Sequence, residues 1–212
     1  MLNIAILSNG NAAEMQRLYS DRFRPHAFTM IAALSFAQTD LSPFDVFIAP
    51  TGSDHIALRR AQSKLIDFLD AGKVVLGFSG PYTQWLPNAR WVMQTDIPLR
   101  LYENTLPDAS HPLLQDVKMN DVNLSHGKRG FWTCGHFTPA PGAKTLMVNN
   151  LGECTMFLDD VSFKGAIIAT ASGPVPGFGL MDSKDHTHGL DQLFINILRW
   201  SEEKVAHDKV PR

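Results

Sequence analysis

The first residues, LNIAILS at 2–8, form a nearly continuous apolar run, which predicts a strand buried on both faces of a sheet. Asn9-Gly10-Asn11 breaks the run, and Asn11 is placed to cap a helix over 12–19. HAFTMI at 26–31 and SPFDVFIAP at 42–50 predict a second and a third strand, the latter ending at Pro50-Thr51-Gly52. Over 53–70 the apolar period changes to that of a helix, with Ile56, Ala57, Ala61, Leu65, Phe68 and Leu69 along one stripe. Ser53 is the expected N-cap, and Gly72 stands where a left-handed residue closes the helix. A strand over 73–78 follows directly. Strand, helix and strand joined by tight links predict a right-handed crossover and a parallel sheet.

The pattern changes in the middle of the chain, over 88–163. Short runs at 90–94, 130–134, 144–149 and 153–158 alternate with Pro and Gly turns and predict meandering or edge strands. KGAIIATAS at 164–172 restores a long buried strand, and a loop rich in Gly and Pro follows at 173–179. A last helix over 190–204 buries Leu193, Phe194, Ile197, Leu198 and Trp200. Without an internal repeat or a linker, the expected organisation is a single α/β domain over 1–204, with a tail over 205–212 that frays.

Composition narrows the function classes. The 212 residues are 44% hydrophobic and 19% charged, which describes an ordinary globular α/β protein. A formal net charge of -2 gives no electrostatic drive toward nucleic acid or an anionic membrane. No apolar run approaches the roughly 18 residues of a membrane span. The N-terminus has no basic region ahead of its short apolar run, and Cys134 and Cys154 are the only cysteines. The expectation is a cytoplasmic protein with two reduced thiols and a small-molecule ligand, with a homodimer left open.

Candidate chemistry begins at the end of the 73–78 strand. In GFSGP at 77–81, Ser79 follows an apolar strand and is flanked by glycines, as at a nucleophile elbow. The usual second glycine after the serine is here Pro81, which lacks an N–H; Gly80 keeps its own. The competing reading is that the glycines only turn the chain. MDSKDHTHGLD at 181–191 is the richest polar cluster. His186 and His188, two apart, suit a metal shell completed by a carboxylate, or an oriented general base partnered by Asp185 or Asp191; a helix-capping loop is the plain alternative. CGHF at 134–137 reads as a strand ending in a glycine turn before it reads as a metal or nucleophile site. LSNGNAA at 7–13 is a strand-to-helix turn of the kind that binds anions, but it has few of the hydroxyls of an FMN loop, so FMN is not expected. In PTGSDH at 50–55, His55 faces either a cleft or solvent. Tyr82, Trp85 and Phe178 stack on a ligand or pack the rim.

FDVFIAPTGS, then a helix, then FLDAGKVVLGFSG, with HPLLQDV at 111–117 and GAIIATAS…HTHGLDQLFINILRW, resembles the class I glutamine amidotransferase-like superfamily, especially its trehalose-utilisation (ThuA-like) branch. The resemblance implies a flavodoxin-like three-layer sandwich. Its central sheet is mainly parallel, an irregular antiparallel region lies in the middle of the chain, and the site sits at the carboxyl ends of the strands. It places Thr51 and Gly52 where that superfamily holds oxyanion donors, with His55, Gly80, Tyr82 and Asp185 around a substrate cleft. Ser79 stands where a working glutaminase has Cys, and no Glu follows a late His by two residues. The resemblance therefore implies no glutaminase activity. It leaves open a hydrolase of a small polar, carbohydrate-related substrate using Ser79 with His186 or His188. The alternatives are a metal-dependent version using the same histidines, and a non-catalytic binding or assembly module; no cofactor is otherwise expected.

Overall fold

The computed structural model describes residues 1–12, 16, 18–94, 98, 101–124, 134–171, 173, 175 and 189–209. Five strands form its parallel half: β1 (Asn3–Leu7), β2 (Ala27–Ile31), β3 (Val46–Ala49), β4 (Val74–Phe78) and β10 (Ala166–Thr170). Five more belong to the middle of the chain: β5 (Arg90–Met93), β6 (Asn104–Thr105), β7 (Gly135–Thr138), β8 (Lys144–Asn149) and β9 (Cys154–Asp159). The main path runs β2-β1-β3-β4-β10-β9-β7-β5, with β8 on the other edge of β9 and β6 paired to β8. Every pairing from β2 to β10 is parallel, and every pairing from β10 onward is antiparallel. The middle strands therefore extend the one sheet.

Alternation along the central strands sorts their side chains into two cores. Ile4, Ile6, Val46, Ile48, Val74, Leu76 and Ile168 face Phe194, Ile197 and Leu198 of the C-terminal helix α4 (Gly189–Lys209). Ala5, Phe47, Ala49, Val75, Ile167 and Ala169 face the opposite layer, made by α1 (His55–Arg60) and α2 (Gln62–Asp70) through Leu58, Leu65, Phe68 and Leu69. Helix, sheet and helix form a three-layer α/β sandwich of the flavodoxin type.

Several expectations need correction. The helix predicted over 53–70 is two helices, because Ala61 leaves helical geometry at φ -102° and ψ 20°. Ser53 does not cap it. Its hydroxyl donates back to the Pro50 carbonyl at 2.6 Å, and Asp54 takes the cap by accepting from the Ile56 and Ala57 N–H groups. The last helix, expected over 190–204, runs on to Lys209, with Val205 buried. Two short elements were unforeseen, β6 and α3 (Met119–Asn123). Of the strand expected over 130–134, residues 130–133 lie outside the described residues, and the described strand, β7, begins at Gly135.

Candidate functional site

β4 is buried throughout and leads straight into Ser79. The Ser79 N–H donates to the Thr170 carbonyl at 3.1 Å, extending the β4–β10 pairing by one residue. At that point the chain turns sharply, with Ser79 at φ +104°. Among the described residues, the other two non-glycine positions with positive φ, Asn88 at +57° and Asp116 at +60°, are of the types that tolerate the left-handed region; Ser79 is not, and it lies well outside that region's centre. This backbone is a sharp strand-to-loop turn that holds Ser79 in a sparsely populated conformation.

Two tryptophans hold the turn. A Cβ on Gly80 would lie 2.1 Å from Trp91 Cζ2, and one on Gly77 would lie 3.3 Å from Trp85 Cη2. Only glycine at 80 lets the indole of Trp91 come this close, so the departure from an ordinary elbow at Pro81 leaves the turn itself intact. Trp85 is 2% exposed and belongs to the core.

A cleft of about 520 Å³ opens beside this turn, lined by residues 51–56, Ser79, Tyr82, Cys134 and Gly173. The β3 loop supplies the first wall. Among the described residues, Thr51 Oγ1 is buried without a hydrogen-bond partner, and it occupies the space where a Cβ on Gly173 would be 1.6 Å away. Among the described residues, neither the Gly52 nor the Gly80 N–H donates to any group.

His55, the first residue of α1, faces this cleft rather than open solvent. Its Nδ1 accepts the Tyr82 N–H at 3.2 Å. Its ring stacks on Tyr82 with centroids 5.8 Å apart and lies 6.3 Å from Trp85. Burial lowers its pKa from the ordinary imidazole value, against a smaller upward pull from Asp54. Tyr82 is exposed at the mouth. Cys134 reaches the cleft from the start of β7, with Sγ 3.7 Å from the Ala171 carbonyl. Burial raises its pKa, partly offset by hydrogen bonding to Tyr82, while negative charge on Cys134 and burial raise that of Tyr82.

The structure thus brings together Ser79, Thr51, Gly52, His55 and Tyr82 around the cleft, which the sequence proposed from two separate motifs, whereas Gly80 packs against Trp91 and is not among the lining residues. Asp185, His186 and His188, together with Phe178, lie outside the described residues. Cys134 was read as a plain strand end, and its place in the cleft was missed; a short motif gives no hint of a contact made across the sheet. Among the described residues, no cluster of three or more His, Cys, Asp or Glu is disposed to hold a metal.

No protein-family model matches the sequence, and no curated protein matches it. Solved structures do. A proposed GMP synthase subunit from Thermoplasma acidophilum is similar over 99% of this chain and 98% of its own, with a TM-score of 0.66 and 13% identity. A glutamine amidotransferase from Thermotoga maritima is similar over 99% and 86%, with a TM-score of 0.56 and 7% identity. At these identities the likeness is one of fold: the chain has a glutamine amidotransferase-like α/β fold.

Proposed function

We propose that this protein is a hydrolase of small polar substrates on an amidotransferase-like fold, with Ser79 in place of the cysteine of a glutaminase. The observation that carries the reading is the Ser79 backbone at φ +104° beside a 520 Å³ cleft. A non-glycine residue in such a conformation costs about 1–3 kcal/mol, and it is kept where presenting a side chain repays the strain. Ser79 Oγ attacks a carbonyl carbon, and the Gly52 and Gly80 N–H groups are the proposed donors to the developing oxyanion. His186 or His188, oriented by Asp185, is the proposed base. The chain is proposed to lack glutaminase activity and to stand nearest the ThuA-like proteins, with a carbohydrate-related substrate.

A fluorophosphonate probe followed by peptide mass spectrometry tests this reading. Phosphonylation of Ser79 in the native protein, lost in Ser79→Ala and in His186→Ala/His188→Ala, is the expected result. A Ser79 that stays unlabelled while the fold is intact refutes it.

One observation favours a second reading, a binding module without catalysis. The only imidazole lining the cleft among the described residues, His55, has its Nδ1 lone pair occupied by the Tyr82 N–H. In that case the probe leaves Ser79 untouched, while small ligands still bind the cleft.

A further inference from the structure

We infer that the cleft selects an uncharged ligand through a carbonyl or amide oxygen, and that His55 Nε2–H is the donor that reads it. The inference rests on the proposed function only in taking this cleft as the binding site; it does not need Ser79 to react.

The tautomer follows from geometry. Nδ1 of His55 accepts the Tyr82 N–H at 3.2 Å, so its lone pair is committed to the backbone. A neutral imidazole with an acceptor at Nδ1 carries its hydrogen on Nε2 and is a donor there. Protonating the ring would set an N–H against an N–H. Burial already disfavours the charged ring. The ring has little freedom to reverse these roles. It stacks on Tyr82, sits against Trp85, and is anchored at the backbone by the Thr83 hydroxyl donating to its carbonyl at 2.9 Å.

Charge decides the ligand class. Among the described residues lining the cleft, none is Lys or Arg, and the one formal charge is Asp54. Its Oδ1 accepts from Ile56 N–H at 2.9 Å and Ala57 N–H at 3.0 Å, so the carboxylate is engaged in capping α1 while its negative field remains at the cleft wall. An anion entering here would lose hydration with no Lys or Arg among the described lining residues to compensate. What the wall offers is donors. The Gly52 N–H and the Thr51 hydroxyl hold no hydrogen bond among the described residues. With His55 Nε2–H they form a set matched to a neutral oxygen acceptor such as an amide, ester or lactone carbonyl.

The test uses the full chain labelled with ¹⁵N-histidine. Long-range ¹H–¹⁵N spectra near neutral pH, with His55 assigned by its absence from His55→Phe, should show the Nε2–H tautomer. Acetamide should then shift the His55 Nε2 resonance saturably, with acetate at matched ionic strength at least about tenfold weaker, equivalent to ~1.4 kcal/mol. His55→Phe keeps the stack but removes the donor, and acetamide affinity should fall about tenfold when followed through ¹³C-methyl signals near the cleft. An Nδ1–H tautomer, acetate binding as well as acetamide, or an unchanged affinity in His55→Phe overturns the inference. Failure of Ser79 to take a fluorophosphonate while acetamide still binds would refute the hydrolase and leave this inference standing. Labelling of Ser79 with acetate preferred would do the reverse.

Discussion

Ser79→Gly should make the protein more stable while removing the proposed nucleophile. Ser79 holds φ +104° after a strand whose five residues are all buried, and its N–H is fixed to the Thr170 carbonyl, so the backbone cannot relax without breaking that link between β4 and β10. The strain of such a residue is about 1–3 kcal/mol. Glycine removes it, at the expense of about 0.5–1 kcal/mol from its greater freedom in the unfolded chain. The hydroxyl forms no hydrogen bond among the described residues, so little else is lost. The net expectation is about 1 kcal/mol of added stability, or roughly 2–4 °C in Tm for a chain of this size.

Ser79→Ala is the comparison that isolates the strain. It keeps a Cβ and therefore the strained backbone, and should fall within about 0.5 kcal/mol of wild type. Asn88→Gly is a second control: Asn at φ +57° is comfortable, so glycine there should gain nothing. Urea titrations of the three variants give the answer, provided the slopes agree. If Ser79→Gly is no more stable than Ser79→Ala, the elbow is not strained, and the argument from strain to function fails with it.

Further outcomes follow from the same contacts. Gly80→Ala puts a Cβ 2.1 Å from Trp91 Cζ2 and should cost about 1–3 kcal/mol in urea denaturation, with recovery in a Gly80→Ala/Trp91→Leu double variant; additivity of the two would show that they do not touch. Asp45 is buried, accepts from Asn3 N–H at 3.0 Å and pairs with Lys73 at 3.3 Å; Asp45→Ala should cost about 3 kcal/mol, and a loss under ~1 would mean that the pair is not structural. His26, His55 and His111 each accept a backbone N–H at Nδ1 and each titrates below the ordinary value of 6.5 because of burial. Below that value the unfolded chain binds protons that the folded one refuses, so stability is fully present above 6.5 and declines as pH falls toward the folded pKa values; a urea midpoint that stays flat from about pH 7.5 to 5 contradicts this. Cys154 is buried with its pKa pushed up to about 11, whereas Cys134 lines the cleft, so iodoacetamide should modify Cys134 first and Cys154 only on unfolding; equal rates in the native protein would refute the placement of Cys134.

The parallel half of the fold was legible because strands buried on both faces leave continuous apolar runs, as in LNIAIL, FDVFIA and KVVLGF. The antiparallel half was not legible in the same way. β8 lies where a strand was expected, at 144–149, but its register shifts between Thr145 and Met147 and again between Met147 and Val148 hid how it pairs, and β6, with only two residues, left no run to read. Local propensity also named the wrong cap. Ser53 and Asp54 are both good N-caps, and the choice fell to Asp54 because the Ser53 hydroxyl found the Pro50 carbonyl first. For the site, the glycines around Ser79 marked the turn, but only the packing of Trp91 on Gly80 explains why Gly80 is needed.

The place of the cleft follows from the order of the strands. β1 lies between β2 and β3, so the chain moves outward to β2, crosses back to β3, and continues to β4 and β10 on the other side. Open α/β sheets bind ligands at such a reversal, here the crevice between the carboxyl ends of β1 and β3. In this chain that crevice is bridged: Asn9 Nδ2, just past β1, donates to the Thr51 carbonyl just past β3 at 2.7 Å. The same contact orients the Thr51–Gly52 peptide on its other side, where the cleft opens between the β3 and β4 loops with Gly173 beyond β10. The cleft therefore lies one strand along the sheet from the reversal point, where the chain leaves β4 at Ser79.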